Sequence, residues 1–353
     1  MLYLLKLWLN CDIINSMEKF GNIGKDHLVS ARFIVKRLCE IMLCIAVSLL
    51  ASGCFVNSDF DEKSIKTYNS AVLEELDDSN PYWVDKTELA ESYFVEGMYS
   101  DGYSLGSRGC CSDITARTVV ITILYDSLDG TWDMNEDSAL LDRYLYNMYI
   151  ATEWMKHQTA SYGYNDSYFY FNWEAYPNLV YHGSVDLSMK DAKAKKEIQR
   201  AFAMQFDVDR IMEDYNAQNV AFFFLYKTDK SNEVNASAHN ALVAVEAPYK
   251  FEYVDLPVFY KGEYEPPSVY AHEFLHLFGA QDLYCGGDLI TQEYASYQKL
   301  SKTNDIMRIQ YDISTGDYRY DRITNEFSEI DAYYTFLTNN SEDVKHWGLG
   351  ERM

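Results

Sequence analysis

The chain has 353 residues, 48% hydrophobic and 24% charged, enough for one large domain or two small ones around a sizeable core. Its 54 acids against 30 bases give a formal net charge of −24. That excess excludes the basic face a nucleic-acid partner needs and any electrostatic pull toward an anionic membrane. It is compatible with a secreted protein or with calcium. The 31 tyrosines suit wet, amphipathic surfaces that bind sugars or proteins, or a tyrosine-rich core and its rim.

Residues 32–54 read RFIVKRLCEIMLCIAVSLLASGC. Arg32, Lys36 and Arg37 precede an apolar run of 13 residues from Ile41 to Gly53. This is the layout of a secretory signal peptide, and a membrane span needs about 20 apolar residues. The ending LASGC resembles a bacterial lipobox, which implies that Cys54 is lipidated and begins the mature chain; an ordinary signal peptide or an uncleaved anchor is the alternative. Residues 1–31 fit no signal pattern, consistent with an over-extended reading frame and with Met17 or Met42 as other starts. Residues 1–53 are therefore expected to be an export signal. The cell envelope's outer face is the expected location, with the membrane reached only through the lipid on Cys54.

Beyond residue 53 four cysteines remain: Cys54, Cys110, Cys111 and Cys285. With Cys54 lipidated, three thiols leave one disulfide and one odd cysteine. Adjacent cysteines seldom bridge each other, so Cys110 or Cys111 with Cys285 is the expected pair.

Residues 54–110 are acidic and then rich in glycine and serine, and read as a tether and lead-in. One domain is expected over 111–353, with a break near residue 280. Its first strand is RTVVITILYD, followed by the turn-rich SLDGTWDMNEDS and a helix with apolar residues at Leu141, Leu145, Met148, Ile150 and Met155 that ends before Gly163. DSYFYFNW reads as the second strand, Met189–Asn216 as one or two charged helices, and NVAFFFLYKT as an inner strand. ALVAVEA and YVDLPVFY are further strands, with Pro257 pushing the latter toward an edge. EPPSVYAHEFLHLFG is a helix opened by prolines and closed by Gly279. The fold class that follows is α+β, an α/β-like layer with this helix packed under the sheet.

His272 and His276 stand four residues apart, on one helical face, where both imidazoles can reach one ion. Zinc takes neutral imidazole nitrogens, and a catalytic site usually has three protein ligands and a water. Glu273, beside the first histidine, suits a general base acting on that water. Gly279 allows a sharp turn off the helix that carries Asp282 back as an oxygen ligand. The spacing HExxHxxGxxD thus predicts one catalytic Zn2+ held by His272, His276 and Asp282, with Glu273 as base.

HEFLHLFGAQDLY resembles the metzincin type of zincin peptidases, in the variety with an aspartate third ligand found in snapalysin and in immune-inhibitor-A-type bacterial peptidases. The resemblance covers about residues 117–350. It implies a twisted mixed sheet over the active-site helix, a smaller, mostly helical C-terminal part, and a zinc-dependent endopeptidase acting on protein or peptide substrates. It also implies a methionine in a tight turn beneath the histidines, for which KTNDIMR supplies Met307, and makes FSEIDAYYTFLTNNSEDVKHWGLG the C-terminal helix and its end. Leu275 replaces the usual glycine inside the motif. Many relatives carry a tyrosine two residues after the methionine, where this chain has Ile309, which leaves Tyr311 as a candidate oxyanion stabiliser.

Glu293 is the competing third ligand, 17 residues past His276. His239 and His346 are isolated and read as surface or satisfied histidines. The acidic stretch Asp126–Asp137 allows Ca2+ but matches no EF-hand loop, so turn-capping aspartates are the simpler reading. Two alternatives to the peptidase are a zinc hydrolase of a cell-wall or acyl amide, and a tyrosine-rich surface binding protein with a structural metal.

Overall fold

The structure is a computed structural model that describes residues 62–74, 79–98, 111–188, 191–239 and 251–352. Cys54 and its lipobox, Cys110, and the strand expected from ALVAVEA lie outside the described residues. Helix α1 spans Glu62–Glu74 and precedes strand β1, Arg117–Asp126. Helix α2, Ser138–Ser161, follows, then β2, Tyr168–Tyr170, and β3, Val180–Ser184. Two helices, α3 at Ala192–Ala203 and α4 at Val208–Asp214, lead to β4, Asn219–Tyr226. Strands β5, Ser237–His239, and β6, Tyr253–Pro257, precede the small pair β7, Phe259–Tyr260, and β8, Glu263–Tyr264. Helix α5 is Pro267–Leu277, and α6, Gln292–Ser301, α7, Glu329–Tyr334, and α8, Glu342–Trp347, complete the chain. Helices and a mixed sheet thus share one unit, as an α+β reading requires.

The sheet runs β2–β1–β4–β6–β5, with β3 also paired to β1. Pairings among β1, β2, β3, β4 and β6 are parallel, and only β5 is antiparallel, with Ser237 opposite Asp255 and Ala238 opposite Val254. Every residue of β4 is buried, as a parallel strand covered on both faces demands. On one face Val120, Leu124, Phe223 and Leu256 pack against α2 and α5. On the other Ile121, Ile123, Phe222 and Phe224 pack against α3 and α4. Tyrosine belongs largely to these cores: Tyr125, Tyr144, Tyr170, Tyr215, Tyr226 and Tyr253 are all fully buried.

The lead-in is built into this packing. Ile65 is buried, and Tyr68 of α1 meets the rings of Tyr146 and Tyr149 edge-on at 5.2 and 5.1 Å. Tyr93 donates to an Asp214 carboxylate oxygen (2.8 Å), and its backbone N–H donates to the Tyr181 hydroxyl (2.8 Å).

Several local expectations change. The second strand is only three residues long, because Asn172 turns the chain, accepting from Glu174 N–H through its side chain (3.0 Å) and from Tyr176 N–H through its carbonyl (2.8 Å). The chain then returns as β3 along the same side of β1. Pro257 does not mark an edge; it closes β6, which lies between β4 and β5. The C-terminal stretch forms two short helices rather than one, with Phe336 at φ 66° just after the first. Cys111 and Cys285 are both free, which overturns the expected disulfide. Cys111 is buried with its thiol donating to the Val220 carbonyl (3.3 Å), whereas Cys285 is exposed in the cleft described below. Among the described residues no helix is long and apolar enough to cross a membrane.

Candidate metal centre

Helix α5 opens on Pro266 and Pro267, the latter at a position where the missing N–H costs no helical bond. All its residues but His276 are buried. Tyr270, Phe274, Leu275 and Leu277 anchor it in the core, leaving His272, Glu273 and His276 on the face toward a cleft of about 1020 Å³. These three each bring a ligand atom within 4.8 Å of the others.

Past His276 the chain turns sharply. Gly279 sits at φ 105°, a conformation that suits glycine because it has no Cβ. Gly279 N–H donates to the His276 carbonyl (3.0 Å) and Ala280 N–H to the Leu275 carbonyl (3.2 Å), a Schellman arrangement. The turn brings Asp282 back over the helix. Its Oδ1 lies 3.4 Å from His272 Nε2 and 3.2 Å from His276 Nε2, and the two Nε2 atoms are 3.2 Å apart.

The ring tautomers follow from the opposite nitrogens. His276 Nδ1 donates to the Ala280 carbonyl (2.8 Å), and His272 Nδ1 to the Ile306 carbonyl (3.0 Å). A carbonyl only accepts, so each Nδ1 carries the proton, and each neutral ring turns a bare lone pair inward. The Gln310 amide lies beside the same His272 nitrogen (3.0 Å) and donates to Ile306 as well (3.3 Å). Two lone pairs and a carboxylate oxygen therefore converge, and Asp282 Oδ1 is buried without a hydrogen bond. Three acceptors in contact repel unless a cation or a proton lies among them. Donor atoms at tetrahedral angles, about 2.0–2.1 Å from a zinc ion, stand about 3.3–3.4 Å apart. The observed triangle fits that group.

Burial depresses the His276 pKa, but the close contact and charge of Asp282, helped by Glu273, outweigh it and raise it to about 9. Burial raises the Asp282 pKa, yet the two imidazoles pull it far below the usual carboxylate range.

Met307 is fully buried in the turn Asp305–Arg308, where Arg308 N–H donates to the Asp305 carbonyl (3.1 Å). The Met307 carbonyl accepts from Leu283 N–H (2.9 Å), tying this turn to the segment that carries Asp282. Its own N–H donates to Asp305 Oδ1 (2.7 Å). Tyr311 is exposed and is not among the residues lining the cleft, where Tyr260, Tyr284, Tyr318 and Tyr334 stand instead. Glu293 is exposed in the first turn of α6, away from the cleft lining. His346 is exposed against Trp347, and His239 ends β5. In the Asp126–Asp137 stretch three of the carboxylates have partners within the protein. Asp126 accepts from Trp132 N–H (2.8 Å), Asp133 from Asn135 and Glu136 N–H (2.8 and 3.0 Å), and Asp137 pairs with Lys227 (2.7 Å).

Sequence reasoning missed Tyr284, which lines the cleft near Asp282 and whose pKa is pushed upward by burial and then by that carboxylate. It also missed Gln310 and the cleft wall at Asn235–Ala238. The tyrosine sits two residues past the aspartate and carried a signal of proximity; the others reach the site from separate elements. No protein-family model matches this chain, and neither does any of the curated proteins compared with it.

Proposed function

We propose that this protein is a zinc-dependent endopeptidase of metzincin-like architecture, exported and anchored to the cell envelope by lipid on Cys54. The observation that carries the reading is the triangle of His272 Nε2, His276 Nε2 and Asp282 Oδ1, 3.2–3.4 Å on a side, with the Glu273 carboxylate beside it. Zinc bound there supplies Lewis acidity toward a carbonyl and acidity to water. His272 and His276 present lone pairs of the right tautomer, and Asp282 adds the negative charge that a dication favours. Glu273 takes the proton from the attacking water and delivers it to the leaving amine. A metal with a purely structural role would have no use for Glu273.

The cleft favours an extended substrate. Asn235–Ala238 line it, and β5 is the last strand on that side among the described residues. A peptide laid along β5 gains main-chain hydrogen bonds and crosses in front of Glu273. Digestion of a mixed peptide library with and without a chelator, followed by zinc restoration, tests the reading. Metal-dependent cleavage of internal peptide bonds is expected. Hydrolysis confined to non-peptide amides, or none at all, would overturn it.

A further inference from the structure

Besides the metal site, the cleft carries an unusual charge. Lys196 and Arg200 line it, one turn apart on α3. In a chain with 54 acids and 30 bases, a cation is expected to find an acid. Among the described residues no carboxylate pairs with either side chain. Their neighbour Lys195 does pair, with buried Asp255 at 3.0 Å, and this holds α3 across β6 beside Ser237 of β5. Arg200 reaches the Tyr253 hydroxyl, and Lys196 is drawn below the usual lysine range by burial and then by Arg200. Two like charges are thus held together in a partly buried wall, with no carboxylate paired to either among the described residues. Elsewhere in the cleft, Arg352 differs. It donates to the Tyr333 and Thr338 carbonyls (2.6 Å each) and to Asn339 (2.6 Å), so its donors serve the fold.

The topology says what meets this wall. Helix α3 covers the sheet face opposite α5, since Ile198, Phe202 and Ala203 pack with Phe222 and Phe224. A peptide that extends the sheet at β5 projects alternate side chains to the two faces. One set faces the metal helix, and the other faces Lys196 and Arg200.

We propose that the pair Lys196 and Arg200 selects peptide substrates bearing an acidic side chain, Asp or Glu, at a position that faces α3. The proposal rests on the peptidase reading for the cleavage step, but recognition by this wall is measurable without it. Neutral, Asn- or Gln-bearing peptides lose the paired charge, and Lys- or Arg-bearing peptides meet repulsion. Two partly exposed ion pairs are expected to favour acidic peptides about tenfold at low salt, and the preference shrinks as salt screens it.

The test uses the full, zinc-loaded chain. Matched peptides carrying Asp, Glu, Asn, Gln or Lys at one scanned position are compared for kcat/KM, and for affinity by fluorescence anisotropy on the Glu273→Gln protein. In both, an acidic preference of about tenfold is expected. The double change Lys196→Glu with Arg200→Glu should invert it toward Lys peptides. Lys196→Gln with Arg200→Gln should flatten it and guards against a folding defect in the first pair, with circular dichroism as the check. No acidic preference, or one that survives charge reversal, overturns the proposal even if peptides are cleaved. Acidic peptides that bind through Lys196 and Arg200 yet are never hydrolysed leave it standing and overturn the peptidase reading instead. Neither binding nor cleavage sinks both.

Discussion

The carbonyl of Ala280 accepts the Nδ1 proton of His276 at 2.8 Å, and it reaches that position only because Gly279 turns the chain at φ 105°. One glycine therefore sets the histidine tautomer and the return of Asp282. An alanine there meets the steric cost of positive φ, about 1–2 kcal/mol. Gly279→Ala is expected to lower stability by that amount in denaturant unfolding and to weaken zinc retention. Wild-type zinc affinity in that variant would show that the turn does not control the ligands.

Glu273→Gln keeps the side-chain shape but removes the base. Hydrolysis should fall about 10²–10⁴-fold, while zinc content stays near one per chain. Near wild-type turnover would assign the proton transfer to another group.

Asp282, not Glu293, is the third ligand in this reading. Asp282→Ala should lose zinc on dialysis against a weak chelator, because two histidines hold the ion poorly without a closing partner. Glu293→Ala should keep both metal and activity, since Glu293 is exposed and outside the cleft lining. The reverse pattern would remove Asp282 from the site.

Behind the Met307 turn, Asp305 and Asp331 are buried close to each other, and Asp305 Oδ2 and Asp331 Oδ1 lack a hydrogen-bond donor, an arrangement that favours a shared proton. Burial first, and then the Asp305 charge, raises Asp331 well above the ordinary carboxylate range. A folded pKa raised above the unfolded one gives stability that is full below the unfolded value, about 3.9, and lost as pH climbs through the folded value. Asp331→Asn can still accept from Ser328 N–H and can donate to Asp305. Its melting temperature relative to wild type should therefore rise steadily between pH 4.5 and 8. A difference that is flat with pH would show that no proton is shared.

Cys54→Ser tests the anchor. In a bacterium with lipoprotein processing, the wild type should incorporate labelled fatty acid and sediment with membranes, and the variant should do neither. An unlabelled wild type leaves a plain signal peptide.

Much of the centre was legible because its logic is local. Helical spacing alone puts His272 and His276 on one face, and a glycine three residues further permits the turn that returns Asp282. The apolar runs of β1 and β4 likewise announce themselves, since inner parallel strands are buried on both faces. Tertiary structure decided the rest. Strand β5 is three residues, Ser-Ala-His, with no apolar pattern, and it becomes the cleft wall only by pairing with β6. The Ile306 carbonyl that orients His272 lies 34 residues away in sequence. Lys196 and Arg200 read as part of an ordinary charged helix until α3 crosses the sheet to the cleft. The disulfide expected from counting thiols fails because Cys111 points into the core while Cys285 opens onto the cleft. Spacing along a helix is set by backbone geometry, whereas contacts between distant segments depend on how whole faces pack, which no local pattern encodes.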